Sequence, residues 1–316
     1  MDQHKLQFKE DQIMKPFKQE RFNIKQFQRD LEINILSKTD EKIVFEIINI
    51  DAPIANSLRR IMIAEIPTMA IHKVQVIQNT SVIPDEVLAH RLGLIPIIAD
   101  PLQFIEKDDQ EEYNELNSID FTLVAKCEKK PNSKQDDPIE QQYTNTTVYS
   151  SSLIWQPKGQ QAKLFSANPI RPVHSNIIIA KLRENQELNL RLICEKGLGK
   201  RHAKWSPVCT AFYKLMPSIT IKNQLDNKRQ EKLASICPMK VFGIKGNQIK
   251  VVNPRNCTTC RECIREANGF DKDVELNKID NHFIFSIESV GQYEAKEIML
   301  QAIDVFRSKV QLYIKE

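Results

Sequence analysis

A chain of 316 residues is too long for one small domain: compact units usually run to about 100–200 residues, so two or three are expected. Its 45 basic and 41 acidic side chains leave a net charge of only +4, which excludes the broad cationic field that by itself drives nucleic-acid binding. Any DNA contact is expected to be local, without direct sequence-specific recognition. No apolar run approaches the roughly 20 residues that span a bilayer, and the polar first residues lack the apolar core of a signal peptide. A soluble, intracellular protein with no membrane contact is expected.

Residues 1–30 are polar and alternate in charge, with Phe8, Phe17, Phe22 and Phe27 spread among them, which predicts an arm that packs on something else and assigns it no fold. From Lys42 to Ile50 the β-branched run of Ile43, Val44, Ile47, Ile48 and Ile50, with Phe45 among them, predicts a strand covered on both faces. Asp51 is a good N-cap and Pro53 suits a first helical turn. Ile54, Leu58, Ile61 and Met62 then recur at helical spacing, with Asn56, Arg59 and Arg60 opposite. Pro67 ends this helix, and the chain turns extended from Met69 to Ile77. A second helix is expected from Asp85, with Val87, Leu88 and Leu92 apolar and Gly93 as a left-handed terminator.

Residues 106–118 and 128–147 are polar and read as exposed loops around a strand at Phe121–Cys127. Strands are expected at Val148–Trp155, Ile177–Leu182, Leu188–Glu195 and Val208–Leu215, which makes the middle of the chain β-rich. His282–Glu288 alternates as a strand does. Beyond Gly291, Ala295, Ile298, Met299, Ala302, Ile303, Val305, Phe306, Val310 and Tyr313 form a helical stripe wider than one core requires. That width fits either a generously buried helix or one that leaves surface for another chain.

The seven cysteines fall into two groups. Cys127, Cys194 and Cys209 stand singly and are expected as core or half-buried thiols. Cys257, Cys260 and Cys263 form a C-x-x-C-x-x-C run, and Cys237 is followed by Pro238, the spacing of a bacterial-type ferredoxin. Three thiolates from a tight loop and one from a distant Cys-Pro suit a [4Fe–4S] cluster. Zinc is the alternative, although structural zinc usually pairs its cysteines as two separate knuckles, and unliganded thiols are the plainest reading. Lys240, Lys245, Lys250, Arg255, Arg261 and Arg265 flank the cysteines, as neutralising groups for an anionic cluster or as ordinary solvated cations. Ligand thiols of this kind belong in a reducing compartment. Only one cluster's worth of ligands is present, so the expected role is structural, clamping a module poor in apolar residues.

DAPIANSLRRIMIAEIPTM at Asp51–Met69 and NTSVIPDEVLAHRLGLIPI at Asn79–Ile97 closely resemble the alpha-like subunits of cellular RNA polymerases. IWQPKGQQAKLF at Ile154–Phe165, IRPVHSNIIIAKLRENQELNL at Ile170–Leu190 and GLGKRHAKWSPV at Gly197–Val208 look like the larger alpha-like subunit shared by eukaryotic polymerases I and III. The resemblance runs from about Arg21 onward. It implies an α+β fold with an arm (1–30), a split dimerisation domain (31–75 and 276–316), an inserted β-rich domain (76–224) and a ferredoxin-like module (225–275).

By the same resemblance the chain is a non-catalytic assembly subunit of the nucleus, nucleolus included. It would pair with a smaller alpha-like subunit and recruit the second-largest polymerase subunit. Ile54, Leu58, Ile61, Met62 and Phe306 would then lie in or near the dimer interface, and Arg59 and Arg60 would face a large subunit. Without the resemblance these arginines are a solvated helix face whose ion pairs contribute at most about 1 kcal/mol each. The polymerase II counterpart carries a zinc-binding cysteine cluster in its inserted domain, where this chain has only Cys127, too few for a tetrahedral site. An archaeal-type alpha-like subunit remains an alternative. From other classes, so do an iron–sulfur electron carrier and a zinc-stabilised nucleic-acid module. No glycine-rich phosphate loop, G-x-S-x-G or H-E-x-x-H motif points to a catalytic centre, and His72, His90, His174, His202 and His282 are dispersed.

Overall fold

The computed structural model describes residues 5–9, 12–14, 23–108, 110–131 and 138–315. Phe17 and Phe22 of the N-terminal arm lie outside the described residues. In chain order the elements are β1 (Lys5–Lys9), β2 (Gln12–Met14), α1 (Ile24–Asp30), β3 (Glu32–Lys38), β4 (Lys42–Ile48), α2 (Ala52–Ala64), β5 (Pro67–Asn79) and α3 (Asp85–Gly93). They continue with β6 (Ile97–Ile98), β7 (Ser118–Lys126), α4 (Ile139–Gln142), β8 (Thr147–Tyr149), β9 (Ile154–Gln156), α5 (Gln161–Leu164), β10 (Arg171–Pro172) and β11 (Ile178–Lys181). The last are β12 (Glu187–Leu198), β13 (Val208–Ile221), α6 (Asn227–Ile236), β14 (Phe242–Lys245), β15 (Gln248–Val251), β16 (Val274–Ser289) and α7 (Ala295–Lys315). The mixture of helices and sheets is the expected α+β class. The described residues divide into two compact units, one drawn from 1–38, 43–57 and 212–286, the other from 39–42, 58–211 and 287–316.

The first unit is built on a six-stranded sheet in the order β2-β1-β16-β4-β3, with β13 also paired to β16. Strands from the two ends of the chain, β4 and β16, are therefore neighbours. Their aromatic rings lock them together: Phe45 stacks on Phe285 at 5.3 Å, and Tyr213 meets Phe283 edge-on at 5.1 Å. A smaller core holds the 225–276 segment, where Leu233, Val241, Phe242, Phe270 and Val274 are buried with Cys257 and Cys263. Asp226 caps α6 by accepting from the Arg229 N–H at 2.7 Å, and the Arg229 guanidinium pairs with Asp273 at 2.6 Å.

The second unit contains a four-stranded antiparallel sheet, β5-β12-β7-β9, with the long β12 paired from Glu187 to Leu198. Alternate residues Leu188, Leu190, Leu192 and Cys194 of β12 turn inward with Ile119, Phe121 and Leu123 of β7, and Leu88 and Leu92 of α3 join the same core.

Three local expectations change. The 148–155 run is two short strands separated by a 3-10 turn at Ser150–Ser152, because the Ser150 hydroxyl donates to the His174 carbonyl and accepts from the Ile177 N–H. Gly93 is the last helical residue and has no positive φ; Leu94 closes the helix in right-handed geometry. A side chain at Gly93 would sit 3.4 Å from the Ile71 carbonyl, so its smallness serves packing. Of the single cysteines, Cys127 and Cys194 are buried but Cys209 is exposed.

One charge is buried in the first sheet. Glu46, on β4, is 1% exposed and accepts two hydrogen bonds from the Arg255 guanidinium, at 2.6 and 3.2 Å, while His282 Nε2 lies 3.5 Å away. Arg255 holds the Glu46 carboxyl below its ordinary value of 4.5. A depressed carboxylate contributes stability above its ordinary range and loses that contribution as the pH falls through the folded value. Glu46→Gln is expected to lower stability near neutral pH by about 1–3 kcal/mol, because Arg255 loses its charged acceptor. Thermal unfolding should show the gap between wild type and variant closing as the pH drops below 4.5.

Candidate pairing surface and cysteine pocket

α7 shows where the wide stripe goes. Ala295, Ile298 and Ala302 are fully buried, and Lys309 continues that face by pairing with Glu65 at 2.8 Å. A second apolar stripe lies beside it. Met299, Ile303, Phe306, Val310 and Tyr313, with Ile314, recur every three or four residues and so share one side of the helix. Met299 and Phe306 are half-buried, Ile303 and Val310 are exposed, and Tyr313 and Ile314 are 78% and 77% exposed. From Arg307 to Ile314 every described side chain is exposed, so the helix runs beyond its intrachain cover with its apolar side bare.

α2 differs. The Asp51 carbonyl accepts from the N–H groups of Ile54 and Ala55, which starts the helix where the N-cap was expected. Leu58, Ile61 and Met62 are covered within the chain, at 5%, 2% and 0% exposure, and Ile54 is half-buried. Any contribution of these three to a partner is made through the shape they give the helix. Arg59 is half-buried and Arg60 exposed.

The four clustered cysteines line one pocket with Ile219, Met239 and Phe242. Cys257 and Cys263 are buried, Cys237 is half-buried and Cys260 exposed. Burial pushes the Cys263 thiol up to about 12 and raises that of Cys257. The Val241 N–H lies 3.5 Å from Cys237 Sγ and the Thr259 N–H 3.4 Å from Cys257 Sγ, so backbone donors already face two sulfurs. Thr259 and Arg261 take φ of 57° and 67°, a left-handed geometry that is especially unusual for the β-branched Thr259, and they flank Cys260 in the loop. Among the described residues, no three His, Cys, Asp or Glu side chains converge tightly enough to hold a single metal ion.

The family model for the RNA polymerase Rpb3/Rpb11 dimerisation domain matches residues 44–310, a span that contains α2, the cysteine pocket and most of α7. The chain belongs to the Rpb3/Rpb11 family of RNA polymerase subunits. The family's relatives include the Dictyostelium discoideum DNA-directed RNA polymerases I and III subunit rpac1, 45% identical over 91% of this chain and 82% of that protein. The human subunit RPAC1 of polymerases I and III is 40% identical over 92% of this chain and 85% of its own length. A Dictyostelium discoideum polymerase II subunit, rpb3, is 33% identical over 91% of this chain and 95% of its own. The matching domain is named for dimerisation, and the bare side of α7 lies largely within the matched span. The Asp51–Met69 and Asn79–Ile97 motifs were enough to find this family. Sequence spacing did not separate covered from uncovered apolar residues.

Two substitutions separate pairing from folding. Leu58→Asp would bury an unpaired carboxylate in the chain's own core and is expected to cost about 3–5 kcal/mol of stability. Val310→Asp, one turn beyond the half-buried Phe306, places the charge at an exposed position of the stripe, so the chain should keep its thermal midpoint while its affinity for an alpha-like partner falls by about 30-fold or more. Calorimetry of the free chain beside a pairing assay checks both.

Proposed function

We propose that this chain is the larger alpha-like subunit shared by RNA polymerases I and III. It pairs with a smaller alpha-like subunit through α7 and α2, and the pair recruits the second-largest subunit, with Arg59 and Arg60 turned toward the large chains. It carries no active site; RNA synthesis takes place in the other subunits. It works in the nucleus, nucleolus included. The observation that carries this reading is the apolar stripe from Met299 to Ile314, half-covered at Met299 and Phe306 and exposed from Val310 on, which is what half of a helix–helix interface looks like before its partner arrives. The higher identity to relatives named for polymerases I and III than to the one named for polymerase II supports the class.

Cys237, Cys257, Cys260 and Cys263 would hold a [4Fe–4S] cluster, with zinc the alternative. The donor set fits: four soft thiolates around one pocket, two of them already facing backbone N–H groups. A lone zinc ion with bonds of about 2.3 Å draws its thiolates to roughly 3.8 Å from one another. A cube puts each sulfur on its own iron, so its thiolates stand farther apart than those around a lone zinc ion. When bound, the cluster supplies cross-links that fasten the 237 turn to the 257–263 loop. The chain's own residues supply the shape and the hydrogen bonds.

Affinity purification of the tagged chain should recover one smaller alpha-like subunit together with large subunits of both polymerases I and III. Recovery of polymerase II large subunits alone would overturn the class. In the same preparation, iron should be present at about four atoms per chain and should be lost in Cys263→Ala. One zinc per chain would decide for the alternative.

A further inference from the structure

A second surface is not explained by pairing or by the cysteines. It is built in the second unit from the Gly197–Ser206 turn and the middle of β5. Trp205 is 1% exposed and pinned at both ends: its indole N–H donates to the Glu195 carbonyl at 3.0 Å, and its own carbonyl accepts from the Thr68 hydroxyl at 2.8 Å. Two glycines permit the close approach. A side chain at Gly197 would lie 2.5 Å from the Trp205 ring, and one at Gly199 would lie 2.3 Å from the Ile63 carbonyl. The turn is therefore a rigid platform.

Cations collect on it. Lys204 Nζ lies 4.4 Å from the centre of the Trp205 ring and the Arg201 guanidinium 5.2 Å from it. Lys73 sits 5.0 Å from the centre of the Tyr113 ring, and the Tyr113 hydroxyl donates to Glu195 at 2.6 Å. Lys107 shares the Tyr113 ring but comes from a loop with its own carboxylates, Glu106 and Asp108, so the excess charge is that of Lys73, Arg201 and Lys204. Among the described residues none of these three has a carboxylate within 4.0 Å, and the buried Glu195 carboxylate is the one anion at the centre.

His72 records the imbalance. Lys204 Nζ, which can only donate, donates to the Ile71 carbonyl and to His72 Nδ1, both at 2.9 Å, so the ring hydrogen belongs on Nε2. Yet an Arg201 nitrogen, also only a donor, lies 3.3 Å from that same Nε2, and Glu195 Oε2 is 3.9 Å away. Two donors face each other with no acceptor between them. Burial lowers the His72 pKa, and Lys204, Arg201 and Lys73 lower it further against the pull of Glu195.

We infer that this platform docks a short acidic segment of another protein, whose carboxylates accept from the exposed Lys73 and Arg201 beside the positive charge of Lys204. Nucleic acid fits less well. Trp205 is covered, so it offers no face on which a base could stack, and a chain of net charge +4 has little long-range pull on a polyanion. The inference stands apart from the pairing surface and does not depend on the polymerase class.

The test uses the full-length chain and a fluorescent peptide of alternating Asp and Gly, read by anisotropy. Lys73→Glu with Arg201→Glu, both exposed positions, should weaken binding by about tenfold or more. Lys163→Glu with Lys181→Glu, the same charge change on α5 and β11, should leave it within about twofold. Binding should also raise the His72 pKa, followed by NMR of the ring, since a bound carboxylate offsets the cations that depress it. Equal losses from both pairs of substitutions, an unmoved His72, or a DNA duplex bound in preference to the peptide would each overturn the inference.

Discussion

An α-helix can turn about a third of its circumference toward one surface, and α7 carries apolar side chains over a wider arc than that. Ala295, Ile298 and Ala302 use up the cover available within the chain, and the stripe from Met299 to Ile314 lies to one side of it. Fully burying a Val, Ile or Phe side chain contributes about 1.5–3 kcal/mol, so a partner that completes the cover of Ile303, Phe306 and Val310 gains a part of that at each without requiring any other change in the helix. Under the proposed function the protein's role lies in surface that another chain buries, and the chain belongs to a family whose domain is named for dimerisation.

The cysteine pocket faces the complementary problem, since its small core would otherwise depend on a handful of apolar residues. Positive φ at Thr259 and Arg261 and the Glu46–Arg255 pair are both costly arrangements, one in backbone strain and the other in desolvation of a carboxylate. They occur side by side in the chain, Arg255 two residues before Cys257, so the loop that carries three thiols is anchored to the buried middle of β4. Anchoring of that sort fixes the loop from within the chain, and the proposed cluster would add its cross-links to a loop already tied to β4.

Much of this was legible in the residues. Asp51 and Pro53 marked the start of α2, the β-branched run marked β4, and the width of the 295–313 stripe marked a helix that was either generously buried or left surface for another chain. The C-x-x-C-x-x-C spacing identified which thiols line the pocket. Other features depend on contacts between distant segments and leave no local pattern. Leu58 and Phe306 are both apolar residues on helical stripes, and only the fold separates the covered one from the half-covered one. The break at Ser150 comes from one hydroxyl reaching His174 and Ile177. The platform at Trp205 joins His72 to Lys204 across more than a hundred residues, so neither charge crowding nor its relief could be read from either segment alone.

Hydrogen exchange along α7 addresses the central claim most directly. In the free chain, the amides of the last two turns, from Arg307 to Ile314, should exchange fast while those near Ile298 and Ala302 are protected. In the assembled polymerase subcomplex, the whole helix should become slow. Strong protection of residues 307–314 in the isolated chain, unchanged on assembly, would mean that the stripe is already covered and that the pairing surface lies elsewhere.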